Sequence, residues 1–113
     1  GSGDASREFL YVKDCAEAIV LATAHYNKSH PVNIGTGKEI TIRTLSKTIA
    51  KLTGFTGQII WDHTKPDGQP RRRLDTTRAE TEFGFKAKTS LEIGLQKTIE
   101  WYSKEKINVL NHS

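Results

Sequence analysis

Apolar positions along the chain come either as short unbroken runs or as stripes three and four residues apart, with turn residues between them. The first run, residues 9–12, reads as a short strand. Asp14-Cys15-Ala16-Glu17 follows with the spacing of a capping box, in which two side chains satisfy the free amides that open a helix. Cys15, Ile19, Ala22 and Tyr26 then recur at helical intervals and predict one apolar face. Pro31 ends the polar turn behind this helix, and residues 32–34 read as a short buried strand running into Gly35-Thr36-Gly37. Thr41 is placed to cap a second helix with Ile42, Leu45, Ile49 and Leu52 on one stripe, and Gly54 to close it in the left-handed conformation. Residues 58–61 read as a third strand. Asp75 or Thr76 can cap a short helix ending near Gly84, and Thr89-Ser90-Leu91-Glu92 forms a second capping box. The helix it heads carries Leu91, Leu95, Thr98, Ile99 and Tyr102 inward, and the chain beyond Lys106 reads as a frayed tail. The pattern is α/β, short strands alternating with about four helices, without an internal repeat or a low-complexity linker to mark a domain boundary.

Composition narrows this picture. A chain of 113 residues supports one compact domain at most. Its hydrophobic fraction of 35% is low for a self-sufficient core, so the domain is expected to lean on a larger neighbour. The apolar runs are too short to span a membrane, and the first residues do not read as a signal peptide, which points to the cytoplasm. One cysteine, Cys15, excludes an internal disulfide and a thiolate cluster, and the four histidines lack metal-ligand spacing. The net charge of +4 favours anionic partners without choosing among them.

The charge is concentrated in one place. Lys65-Pro66-Asp67-Gly68-Gln69-Pro70-Arg71-Arg72-Arg73-Leu74-Asp75 sets three consecutive guanidinium groups behind two prolines. Proline fixes φ and donates no backbone N–H, so the segment is a stiff loop and not a helix. Arginine's planar fork engages phosphate oxygens two at a time, and a preorganised loop loses less entropy in doing so. These features predict an anion-binding loop.

The same loop, with Gly1-Ser2-Gly3-Asp4-Ala5-Ser6-Arg7-Glu8-Phe9-Leu10-Tyr11-Val12-Lys13-Asp14 and Val32-Asn33-Ile34-Gly35-Thr36-Gly37 before it, resembles in order and spacing the C-terminal part of the GDP-L-fucose synthase family. That family is a branch of the extended short-chain dehydrogenases, and the resemblance runs from about Gly1 to about Tyr102. The first two blocks are shared by many nucleotide-sugar epimerases and dehydratases; Lys-Pro-Asp-Gly-x-Pro-Arg, a second basic residue and Leu-Asp are the specific part. The resemblance implies that residues 1–106 are the substrate-binding portion of an epimerase/reductase, with 107–113 a tail and most of the Rossmann core missing. It implies a GDP-sugar substrate, NADP held by the missing N-terminal portion, and a homo-oligomer. Surfaces left open by the missing portion would seek partners by dimerisation or strand exchange.

Site residues follow residue by residue. Arg7 corresponds to the family's arginine on the nucleotide diphosphate, Asp67 to an acidic position that contacts the substrate, and Arg72 to a basic position near the same diphosphate. Arg71 and Lys65 are further candidates by proximity. A surface ion pair of Arg7 with Glu8 or Asp14 is the alternative role for that arginine. Catalytic and cofactor-binding residues are not expected on this chain. Gly35-x-Gly37 is half a dinucleotide fingerprint and does not open directly into a helix. Tyr102 and Lys106 have the Tyr-x-x-x-Lys spacing, but the tyrosine continues the packing stripe of its helix. Cys15 sits on a packing face, where a structural role is expected. The chain alone is therefore expected to be inactive. Two other readings stay open: a portion of another nucleotide-sugar epimerase or dehydratase, and a non-enzymatic basic module for nucleic acid. The latter requires aromatic rings free to stack beside the basic groups, and Trp61 is the one ring near the loop.

Overall fold

The computed structural model describes residues 1–112. Its elements, in chain order, are β1 (Ser6–Arg7), α1 (Val12–His25), β2 (Ile40–Thr41), α2 (Ile42–Thr53), α3 (Thr77–Phe83) and α4 (Leu91–Asn111). The strands pair antiparallel, Ser6 with Thr41 and Arg7 with Ile40. On the other edge of β1 the basic loop adds a parallel bridge between Ser6 and Arg71. Ser6 N donates to Pro70 O at 2.9 Å and Arg72 N to Ser6 O at 3.2 Å.

The fold class is as the sequence predicts, with four helices around a short sheet. The strands, however, stand elsewhere. Residues 9–11 lead into α1, which starts at Val12 with Tyr11 as its extended cap. Residues 32–34 and 58–61 join no ladder. A short apolar run becomes a strand only beside another strand whose N–H and C=O groups complete its hydrogen bonds, and neither run has such a neighbour among the described residues. Val32 and Ile34 instead pack against the core, while Ile60 is left 78% exposed.

The core gathers Ala18 of α1, Ala79 and Phe83 of α3, and Phe85, with Leu10, Leu21, Ala22, Tyr26, Val32, Ile34 and Ala87 around them. Tyr26 meets Phe83 edge to face at 5.7 Å between ring centres. The face of α1 is therefore rotated from the expected one. Asp14 and Ala18 are buried, Cys15 is half-buried, and Ile19 is turned outward. Asp14 does not cap its own helix. Its carboxylate accepts Thr89 N at 2.9 Å, Thr89 Oγ1 at 2.9 Å and Lys88 N at 3.2 Å, so a buried charge is satisfied by the chain that enters α4.

Other caps fall where the pattern puts them. Thr41 Oγ1 accepts Thr44 N at 3.1 Å, and Gly54 closes α2 at φ 68°. Asp75 accepts Thr77 N at 2.9 Å ahead of α3, and Gly84 ends that helix at φ 69°. Ser90, one residue later than the capping box suggests, caps α4 through Ile93 N, because Thr89 is engaged by Asp14. α4 also continues past Lys106 to Asn111 in place of the expected frayed end. Gly94 lets its first turns lie against Tyr11, where an added methyl group would stand 3.3 Å from the tyrosine Cβ.

Candidate anion site

The site is built on β1. Its two residues are held by β2 on one side and by residues 70–72 on the other. Side chains alternate across a pleated strand, so the bridge that places Ser6 and Arg71 on one face sets Arg7 and Arg72 to the other. Two arginines far apart in sequence are thereby neighbours on adjacent extended segments.

Arg7 is half-buried, and its Nη1 donates to Ser6 O at 2.6 Å and Gln69 O at 2.7 Å. Its Nη2 faces Gly68, whose φ of +72° turns the loop and is the reason a glycine stands there. The expected alternative pairing with Glu8 or Asp14 does not occur. Glu8 accepts Thr36 N at 2.9 Å and Leu74 N at 3.1 Å, and Asp14 holds the start of α4. Arg7 is thus oriented by carbonyls, with no carboxylate against it among the described residues. Arg72 is exposed and tied to the strand by its backbone alone. Lys65 is likewise exposed, its backbone N donating to Asp62 O at 3.2 Å.

The remaining candidates are engaged. Arg71 Nε lies 2.7 and 2.8 Å from the two oxygens of Glu39, and that contact raises the guanidinium pKa above its ordinary value. Asp67 accepts both Ser2 N and Ser2 Oγ at 2.6 Å, and these bonds hold its carboxyl below the usual range. The loop meets the first residues at a second point, where Gly1 N donates to Asp62 O at 2.7 Å. Trp61 packs face-on against Gly3 and beneath Arg43, whose guanidinium carbon is 4.7 Å from the ring centre. The ring is therefore occupied within the chain. The sequence reading missed Glu8 and Glu39, because neither the distance from Glu8 to residues 36 and 74 nor the pairing of Glu39 with Arg71 leaves a local pattern.

The groups considered for chemistry lie apart from this site. Tyr102 and Lys106 are on the exposed half of α4. A groove of about 980 Å³ runs between residues 9–13 and α4, lined by Phe9, Tyr11, Val12, Leu91 and Trp101 with Lys97 over the Tyr11 ring. It is mainly apolar and does not include Arg7, Asp67 or Arg72.

Residues 1–98 match the family described as GDP-mannose 4,6 dehydratase. The chain is similar to a probable GDP-L-fucose synthase 1 of Oryza sativa subsp. japonica, 40% identical over 108 residues, covering 96% of this chain and 33% of the relative. It is similar to the GDP-L-fucose synthase of Escherichia coli K12 at 43% over 111 residues, 90% of this chain and 34% of that one. Among solved structures it resembles a UDP-glucose 4-epimerase of Thermotoga maritima bound to UDP-glucose. That likeness has a TM-score of 0.85 at 31% identity, over 93% of this chain and 34% of the epimerase. The matched stretch is the C-terminal part of the curated relatives, and the chain spans about a third of their length.

Proposed function

The chain belongs to the GDP-mannose 4,6 dehydratase family, and from that premise we propose that it is the C-terminal, substrate-side portion of an NADP-dependent GDP-L-fucose synthase, contributing the diphosphate half-site for a GDP-sugar. The observation that carries the proposal is the Ser6–Arg71 bridge, which sets the backbones of Arg7 and Arg72 side by side, with no carboxylate against either arginine among the described residues. A diphosphate needs cations, and each guanidinium contact contributes about 1.5 to 3 kcal/mol as a charge-assisted hydrogen bond. Arg71 has a different part. Its bond to Glu39 fixes the loop from the opposite face and leaves Arg72 for the ligand. Asp67, on the far side of Gly68, is within the same loop and would accept from sugar hydroxyls in exchange for Ser2.

The intact enzyme would convert GDP-4-keto-6-deoxymannose to GDP-L-fucose by epimerisation and hydride transfer, with NADPH supplying the hydride. A relative in solved structures, named RMD, from Pseudomonas aeruginosa, is complexed with NADPH. The residues of this chain do not fit such a cofactor. The turn at Gly35 and Gly37 runs into β2 before α2 begins, and the space beside Gly35 is filled by the Glu8 carboxylate, which would repel a phosphate. In this reading the cofactor site lies on an N-terminal portion of a longer polypeptide, and the chain alone is inactive. The apolar groove between residues 9–13 and α4 is a surface on which such a portion would pack. No helix among the described residues is long and apolar enough to cross a membrane; we place the enzyme in the cytoplasm as a homo-oligomer.

Calorimetric titration with GDP and with UDP, on the wild-type chain and on Arg72→Ala, tests the proposal. Selective GDP binding that the variant loses is the expected result. Preference for UDP would move the chain to another nucleotide-sugar epimerase of the same family, a reading favoured by the likeness to the UDP-glucose epimerase. Absence of binding to both would overturn the half-site.

A further inference from the structure

Among the described residues, Glu8 is the one acidic residue that hydrogen-bonds both the glycine turn and the end of the basic loop. Its Oε1 accepts Thr36 N at 2.9 Å and its Oε2 accepts Leu74 N at 3.1 Å. The two donors lie in segments that share no strand ladder, so this carboxylate joins β1, the turn and the loop at one point. Arg7 precedes it directly, and Leu74 follows the arginine triplet directly. The triplet is thereby held at both ends: Arg72 N bonds Ser6 O, and Leu74 N bonds Glu8.

Gly35 has the form this arrangement requires. It is not among the glycines at positive φ, so an alanine there would meet no backbone strain. An added methyl group would, however, stand inside van der Waals contact of Glu8 Oε1 and at 3.1 Å from Leu74 Cδ1. The glycine is needed for space, and the space is that of the clamp.

We propose that Glu8 is the positioning residue of the anion site: its bidentate clamp on Thr36 and Leu74 sets the spacing of Arg7 and Arg72, and Gly35 is the position that admits it. The inference rests on the diphosphate reading of those arginines. Glu8 does not touch the anion. Both of its oxygens are turned to backbone amides, while Arg7 turns to Gln69. A guanidinium pair preset at one spacing binds a diphosphate without first ordering the loop, and that ordering cost is what the clamp removes.

The test uses the full 113-residue chain, with inorganic pyrophosphate as the probe. In the ligand-free chain, Glu8→Gln keeps the shape but replaces the charged acceptor. The amide protons of Thr36 and Leu74 should both move upfield and exchange at least about ten-fold faster, with the far-UV spectrum unchanged. Gly35→Ala should reproduce this pair of changes. In the binding arm, Glu8→Gln should weaken pyrophosphate by about ten-fold in the wild-type background and by much less in an Arg72→Ala background, as expected when two residues act on one site. Equal weakening in both backgrounds, or none, overturns the positioning role. Unchanged exchange at Thr36 and Leu74 with pyrophosphate binding intact overturns the clamp and leaves the diphosphate reading standing. A wild-type chain that does not bind pyrophosphate overturns the diphosphate reading and the positioning role with it, while the exchange data still show whether the clamp exists.

Discussion

Two consecutive arginines, Arg71 and Arg72, have different fates in this molecule, and the difference lies in which partner each backbone position can reach. Arg71 faces Glu39 across the sheet and is locked to both of its oxygens; Arg72, one residue on, faces the other way. Replacing Arg72 with alanine should weaken GDP binding by about 10- to 100-fold, the loss of one charge-assisted contact to phosphate, as read by calorimetry. Arg71→Ala should weaken it less and raise its dependence on salt, because the loop loses an anchor while the ligand keeps its contacts. The Asp67 carboxylate adds a pH dependence whose sign is fixed by its bonds to Ser2. Its folded pKa lies below the ordinary 3.8, so the hook between Asp67 and Ser2 is fully present above that value and opens as pH falls through the folded one. The protection of the Ser2 amide, its exchange rate measured against the intrinsic rate at each pH, should fall in that acidic range and stay constant above it.

Among the elements, the buried Asp14 has the largest structural leverage, since one carboxylate on α1 satisfies three donors at the entry to α4. Asp14→Ala would leave those partly buried donors without their acceptor and should destabilise the chain by about 2 to 4 kcal/mol in urea unfolding, whereas Thr41→Ala at the cap of α2 should cost about 1 kcal/mol. These two residues also show where sequence reading succeeds and where it stops. Thr41 and Gly54 were legible because a cap is a local bargain between a side chain and amides three residues away. Asp14 carries the same local signal, and it is overridden by a partner in another element that no spacing reveals. Strands fail for a related reason. Residues 32–34 and 58–61 have the apolar composition of strands, but no neighbouring strand among the described residues completes their hydrogen bonds. The two-residue strands that do form, Ser6–Arg7 and Ile40–Thr41, carry no alternation long enough to read. Arg7, Arg72 and Asp67 are singled out in the sequence by the loop and its resemblance to a family, and their binding role is a proposal. Glu8 and Glu39, which hold that loop, are not singled out, because each acts across the fold on a segment remote in sequence.

At the scale of the whole molecule, shape and surface point to the same incompleteness. The radius of gyration is 17.3 Å, against about 13 Å for a compact domain of this length, and the body is a slab of 49 × 40 × 22 Å. Its core of small and aromatic residues lies between α1 and α3, while Val12, Ile19 and Val20 on the outer side of α1 and Trp101 on α4 face solvent. Apolar side chains on that scale are costly to leave in water, at about 25 cal/mol per Å². The match to a third of each curated relative gives the same account from sequence. On the proposed reading, an N-terminal portion that covers α1 and the apolar groove would also bring the cofactor. The chain alone should therefore bind a hydrophobic dye strongly and oxidise no NADPH. Adding the N-terminal two-thirds of a GDP-L-fucose synthase should quench the dye and start NADPH oxidation that depends on the GDP-4-keto sugar. Quenching without oxidation would mean that the surfaces fit while the half-site does not serve that substrate; oxidation by the N-terminal portion without this chain would remove the need for Arg7 and Arg72 in the reaction.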